Sequence, residues 1–136
     1  TIYEKKRELN GLTLAFVGDG NNVAHSLLLA ASLMGMDFKI ASPSDHRVQD
    51  GILHLAQDYA TDSGAEIFCT EEPRLAVSGA DIVYTDVWTS MGQEAEAERR
   101  RQIFASYQVN SELLSRHRWS MESLLQFVLR VANGPF

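Results

Sequence analysis

The feature that most constrains this chain is Leu12-Thr13-Leu14-Ala15-Phe16-Val17, an apolar run closed on either side by Gly11 and Gly18. A run that is continuously apolar, not alternating, predicts a strand covered on both faces, as in a parallel sheet. Gly18-Asp19-Gly20-Asn21 then reads as a tight turn. From Asn22 the apolar positions Val23, Leu27, Leu28, Ala31 and Met34 recur at helical spacing until Gly35, where a C-terminal cap belongs. Strand, turn and helix in this order need a sheet with helices packed beside it.

The unit repeats. Residues 36–41 predict a second strand and 51–61 a helix with Ile52, Leu55, Ala56 and Tyr59 on one face. Residues 65–69 predict a third strand, 71–78 a short helix with Pro73 in its first turn, and 82–85 a fourth strand. A charged helix is expected over 94–104 and another after Asn110 as its cap. The stripe Met121, Leu124, Leu125, Val128, Leu129 and Ala132 predicts an amphipathic helix over 120–132, with no fifth strand. Residues 2–9 read as a short charged helix stopped at Asn10-Gly11. Strands alternating with helices at short spacing imply right-handed crossovers. The expected fold is α/β, a three-layer, open, Rossmann-like parallel sheet of about four strands with helices on both faces.

Composition narrows the function classes. With 136 residues there is room for one compact domain, whose folding buries roughly 68–70% of the unfolded chain's surface. A net charge of -6 argues against binding nucleic acid through its phosphates. No stretch is long and apolar enough to span a membrane or serve as a signal peptide. The lone Cys69 cannot form an internal disulfide, so a reducing compartment, the cytoplasm, is expected; its apolar surroundings place it in the core. His25, His46, His54 and His117 show no metal-ligand spacing, so no metal is expected. Arg99-Arg100-Arg101 follows Glu94, Glu96 and Glu98 on one helix, which reads as a solvated charged face.

Open parallel sheets bind ligands beyond the carboxyl ends of their strands, near a switch in strand order. The loops at 18–22 and 86–93 are therefore the ones to read. Gly18-Asp19-Gly20 resembles the start of a dinucleotide fingerprint, but its third glycine would fall at Val23, and no acidic residue closes the second strand at Ile40-Ala41-Ser42. No cofactor is expected. What remains in the first loop is a helix N-terminus and the Asn22 amide, a place for a carboxylate; the plainer reading is that Asn21 and Asn22 turn and cap. In the second loop Asp86 and Ser90 suit an ammonium group, or else cap the following helix. Trp88 either walls such a site or anchors the core edge.

Four motifs carry a family resemblance. Gly18-Asp19-Gly20-Asn21-Asn22-Val23-Ala24-His25-Ser26, Tyr84-Thr85-Asp86-Val87-Trp88, Ser90-Met91-Gly92-Gln93-Glu94 and Tyr107-Gln108-Val109-Asn110 resemble, in order and spacing, the second domain of ornithine carbamoyltransferases. The similarity covers about 1–114. It implies that the Asn22 side chain and the Met91 backbone N–H hold the α-carboxylate of L-ornithine, while Asp86 and the Ser90 hydroxyl hold its α-ammonium. The terminal amine then attacks the carbonyl carbon of carbamoyl phosphate, giving citrulline and phosphate, largely by positioning and charge stabilisation.

Departures from the family qualify this. Its first domain carries a Ser-Thr-Arg-Thr phosphate-binding motif and a His-Pro-x-Gln motif, and neither occurs in these 136 residues. The family's later His-Cys-Leu-Pro motif is also absent, and Arg116-His117-Arg118-Trp119 follows Ser115 instead. The expected division is 1–10 as the end of an interdomain helix, 11–114 as the ornithine-binding domain and 115–136 as a divergent C-terminal helix. No residue is assigned a catalytic role. The chain alone is not expected to turn over, carbamoyl phosphate would be a partner only with a first domain, and the family's trimer is a possible assembly. Two alternatives stand beside this: a noncatalytic interaction module built on the final amphipathic helix, and a sister carbamoyltransferase with another amine acceptor. Putrescine lacks a carboxylate for Asn22, and an acylated α-amine leaves Asp86 without a cation, so free ornithine fits better.

Overall fold

A computed structural model describes residues 4, 7–86, 94–115 and 128–130. The apolar run becomes β1 (Thr13–Val17), followed by α1 (Asn22–Leu33), β2 (Asp37–Ala41), α2 (Asp50–Ser63), β3 (Ile67–Thr70), α3 (Pro73–Val77) and β4 (Ile82–Thr85). Beyond these come α4 (Glu94–Phe104), α5 (Ser111–Ser115) and a short β5 (Val128–Arg130). All pairings are parallel, in the order β3-β2-β1-β4-β5.

Period-two alternation along β1 divides the core. Leu14 and Phe16 join Leu28, Ala56 and Ile82 on the face covered by α1 and α2, while Ala15 and Val17 join Val77, Phe104 and Leu114 on the face covered by α3, α4 and α5. The result is the expected three-layer open α/β sheet. Strand order reverses at β1, whose neighbours are β2 on one side and β4 on the other, so the switch point lies between the carboxyl ends of β1 and β4. The buried Thr85 hydroxyl donates to the Val17 carbonyl at 2.9 Å and ties those two ends together.

Several expectations need correction. Within the range expected to be helical at 120–132, Val128–Arg130 is a strand paired with β4, so the sheet gains a fifth member; the rest of that range lies outside the described residues. An open edge of β4 offers unpaired backbone groups, and pairing with them outweighs a helical stripe in the sequence. Glu4 is helical, but Arg7 has φ 63 and residues 7–9 are not helical, so the helix expected over 2–9 does not continue to Leu9. Cys69 is exposed, not core, because β3 is an edge strand. Partial burial nevertheless raises its thiol pKa. On α2 Leu55 faces outward at 39% exposure, and Ala56 and Ala60 are the buried residues. Among the described residues no helix is long and apolar enough to cross a membrane.

Candidate functional site

The turn after β1 is shaped by close backbone approach. Gly18 adopts φ 144, a conformation that side chains disfavour, and its N–H donates to the Ala41 carbonyl at 3.0 Å. Gly20 lies so close to the loop after β2 that a Cβ there would stand 2.5 Å from Arg47 C and Val48 N. The Gly20 N–H donates to the His46 carbonyl at 2.7 Å. The turn is thus held against the neighbouring loop by its own backbone.

Asn21, not Asn22, is the N-cap of α1. Its Oδ1 accepts from the N–H groups of Val23 at 3.0 Å and Ala24 at 3.2 Å. Its Nδ2 donates to Asp86 Oδ2 at 3.3 Å, across 65 positions of sequence. Asn22 is the first residue of α1 and is exposed, while Asp86 is half-buried directly after β4. The structure therefore brings the turn that carries Asn22 to Asp86, and the bridge between them is Asn21. Ser90 and Met91, with Trp88, lie outside the described residues.

Charge around the ends of β1 and β4 is mixed. The Asp86 carboxylate adds to burial in raising the phenol pKa of Tyr84, whose ring stacks on Phe16 with centroids 5.7 Å apart. On the other side of the turn Asp19 pairs with Arg100 of α4, and both side chains are only 17% exposed. Asp19 Oδ1 also lies 3.7 Å from His46 Nδ1. The expectation that Arg99-Arg100-Arg101 forms a solvated face therefore fails at Arg100. It holds for Arg101, which pairs with Glu98 at 3.4 Å while both remain exposed. Helical spacing alone does not distinguish Arg100; the nearest hint is Phe104 one turn later, whose ring lies 5.1 Å beneath the guanidinium. His25 belongs to the helix start, its Nε2 accepting from the Gln49 N–H at 3.5 Å. Among the described residues no group of three His, Cys, Asp or Glu side chains is arranged to hold a metal ion.

The fold is an open parallel α/β domain that carries the hydrogen-bonded Asn21–Asp86 pair at its switch point, the place where open parallel sheets bind small ligands. Comparison with known proteins makes this specific. The family model described as "Aspartate/ornithine carbamoyltransferase, Asp/Orn binding domain" matches residues 10–122, and the chain belongs to that family. The match runs beyond Leu114, where the resemblance in the sequence fades.

The chain is 54% identical over 116 residues to an ornithine carbamoyltransferase of Listeria innocua, covering 85% of this chain and 37% of the relative. It is 46% identical over 114 residues to the anabolic ornithine carbamoyltransferase of Pyrococcus furiosus, covering 84% of this chain and 36% of the relative. The ornithine carbamoyltransferase structure from Gloeobacter violaceus superposes with a TM-score of 0.81 at 38% identity, covering 98% of this chain and 42% of that one. The Pyrococcus furiosus structure gives a TM-score of 0.79 at 46% identity, covering 84% of this chain and 36% of that one. The chain thus spans a little over a third of the length of the curated relatives it matches.

Proposed function

We propose that residues 11–114 bind L-ornithine, as the amino-acid half of an ornithine carbamoyltransferase. The observation that carries this reading is the hydrogen bond from Asn21 to Asp86, which brings a helix N-terminus and a carboxylate within reach of each other. An α-amino acid needs this pairing: donors for its carboxylate and an acceptor for its ammonium, a few ångströms apart. Asn22 and the Met91 N–H serve the first group, Asp86 and Ser90 the second. The family and the names of the relatives support ornithine.

Bound in this way, ornithine points its terminal amine toward carbamoyl phosphate. The reaction forms a bond from that amine's nitrogen to the carbonyl carbon of carbamoyl phosphate. It breaks the bond from that carbon to the phosphate oxygen, whose electron pair leaves with the phosphate, and the proton lost by the amine passes to the departing phosphate or to water. Asn22, Asp86, Ser90 and Met91 bind and orient the amino acid, and none of them is assigned to the proton. Carbamoyl phosphate is contacted only when a domain bearing Ser-Thr-Arg-Thr and His-Pro-x-Gln is supplied, and the family's trimer is assembled with it. Cytoplasmic residence suits a chain with a single cysteine.

Titration calorimetry with L-ornithine tests the reading. Binding is expected to the unmodified chain and to fall at least about tenfold in Asn22→Ala and in Asp86→Ala, since each removes a charge-assisted contact. No heat with the folded, unmodified chain overturns it. A citrulline assay on the same chain with ornithine and carbamoyl phosphate is expected to show no turnover.

A further inference from the structure

We propose that the Asp19–Arg100 ion pair is a positioning pair for the amino-acid site: it sets the placement of Asn22 relative to Asp86 so that these two residues engage one ligand. This inference rests on the ornithine reading above.

The pair closes a ring of contacts. Arg100 grips Asp19 and lies 5.1 Å over the Phe104 ring, His46 meets the same ring edge-on at 5.0 Å, and His46 Nδ1 returns to within 3.7 Å of Asp19 Oδ1. Asp19 is also part of the ligand turn, since its carbonyl accepts from the Asn21 N–H at 2.8 Å. Displacing Asp19 therefore displaces Asn21, and with it both the bond to Asp86 and the neighbouring Asn22. Arg100, for its part, lies on α4, the next described helix after Asp86 in sequence. The clasp thus ties the turn that carries Asn22 to α4 at a second point, apart from the Asn21–Asp86 bond.

Holding α4 against the sheet does not by itself call for charge. A pair this dry loses hydration, and an apolar pair often packs as well. What the ion pair adds is direction, because guanidinium and carboxylate bind in few orientations. The benefit falls on a ligand that touches both Asn22 and Asp86. Its second contact is effectively intramolecular, and the strength of that contact depends on the loops' mutual placement.

The test compares one two-point ligand with two one-point ligands by NMR titration of the full chain. L-ornithine presents both groups, δ-aminovalerate lacks the α-ammonium and putrescine lacks the carboxylate. In Arg100→Met and Asp19→Asn the ornithine dissociation constant is expected to rise about tenfold while the weak constants for the other two ligands stay within about twofold. Arg100→Lys, which keeps the charge without the fork, is expected to fall between and serves where Arg100→Met does not fold. Unchanged ornithine affinity in folded variants overturns the positioning role and leaves the ornithine site standing. Equal weakening of all three ligands also overturns it, since that is the mark of general damage. Absence of ornithine binding to the unmodified chain removes the site and the clasp together.

Discussion

At the scale of single residues, Asn21 does two jobs that substitution can separate. Asn21→Ala removes the N-cap of α1, at about 1 kcal/mol, and also the bond to Asp86, whose loss costs a further ~0.5–1.5 kcal/mol. Asn21→Ser keeps a capping oxygen and loses only the Nδ2 donor. Urea unfolding is therefore expected to place the alanine variant below the serine variant by about 1 kcal/mol, with both below the unmodified chain. Gly20 makes a second case. Its added Cβ would meet backbone atoms of Arg47 and Val48, not a movable side-chain end, so Gly20→Ala is expected to destabilise by about 1–3 kcal/mol in the same measurement. The motif around these residues is legible in the sequence as a turn before a helix. Which asparagine caps and which faces solvent is not, because adjacent residues of the same type satisfy the same pattern. Asp19 and Arg100 stay hidden for another reason: they are 81 positions apart, and nothing local to either chain segment marks the partner.

At the scale of elements, the central strands follow from periodicity, and two of the failures lie at the edges of the sheet. An apolar run reports that a strand is buried but not its place in the order, so Cys69 on β3 reads as core and is exposed. Val128-Leu129 fits a helical stripe and a short strand equally well, and only the edge of β4, far away in sequence, decides between them. The orientation of α2 shows the same limit. Leu55 and Ala56 are neighbours, and the more hydrophobic one points outward because α2 packs closely through alanines. Ala56, which has no exposed surface, shares one buried cluster with Ala24 and Ala31 of α1, so Ala56→Leu must push α1 and α2 apart. Thermal or urea unfolding is expected to show a loss of about 1–3 kcal/mol for Ala56→Leu, against less than about 1 kcal/mol for Leu55→Ser on the exposed side. The reverse ranking would mean that the helix is rotated from the position described.

At the scale of the whole molecule, the two faces of the sheet share one sensitivity. Tyr84 packs against the cluster under α1 and α2, and Tyr107 belongs to the cluster under α3 to α5, where its hydroxyl donates to the Glu71 carbonyl at 2.7 Å. Burial raises both phenols above their ordinary pKa of 10.0, helped by Asp86 at Tyr84 and by Glu71 and Glu72 at Tyr107. A raised pKa in the folded state means that the native protein holds these protons more tightly than the unfolded chain does. The corresponding stabilisation is complete below about pH 10 and disappears as pH rises through the folded values, when both states have lost the proton. Chemical unfolding measured as a function of pH is therefore expected to show stability declining above about pH 10, with a shallower decline in Tyr84→Phe and in Tyr107→Phe. The contribution of Asp86 is separable by ultraviolet titration of the phenols. Asp86→Asn removes its charge and should lower the Tyr84 value while leaving Tyr107 in place, because burial remains the larger cause at Tyr84 and Asp86 is not among the causes at Tyr107. A Tyr84 titration indifferent to Asp86→Asn would separate the carboxylate from the strand end, and with it the acceptor proposed for an ammonium group.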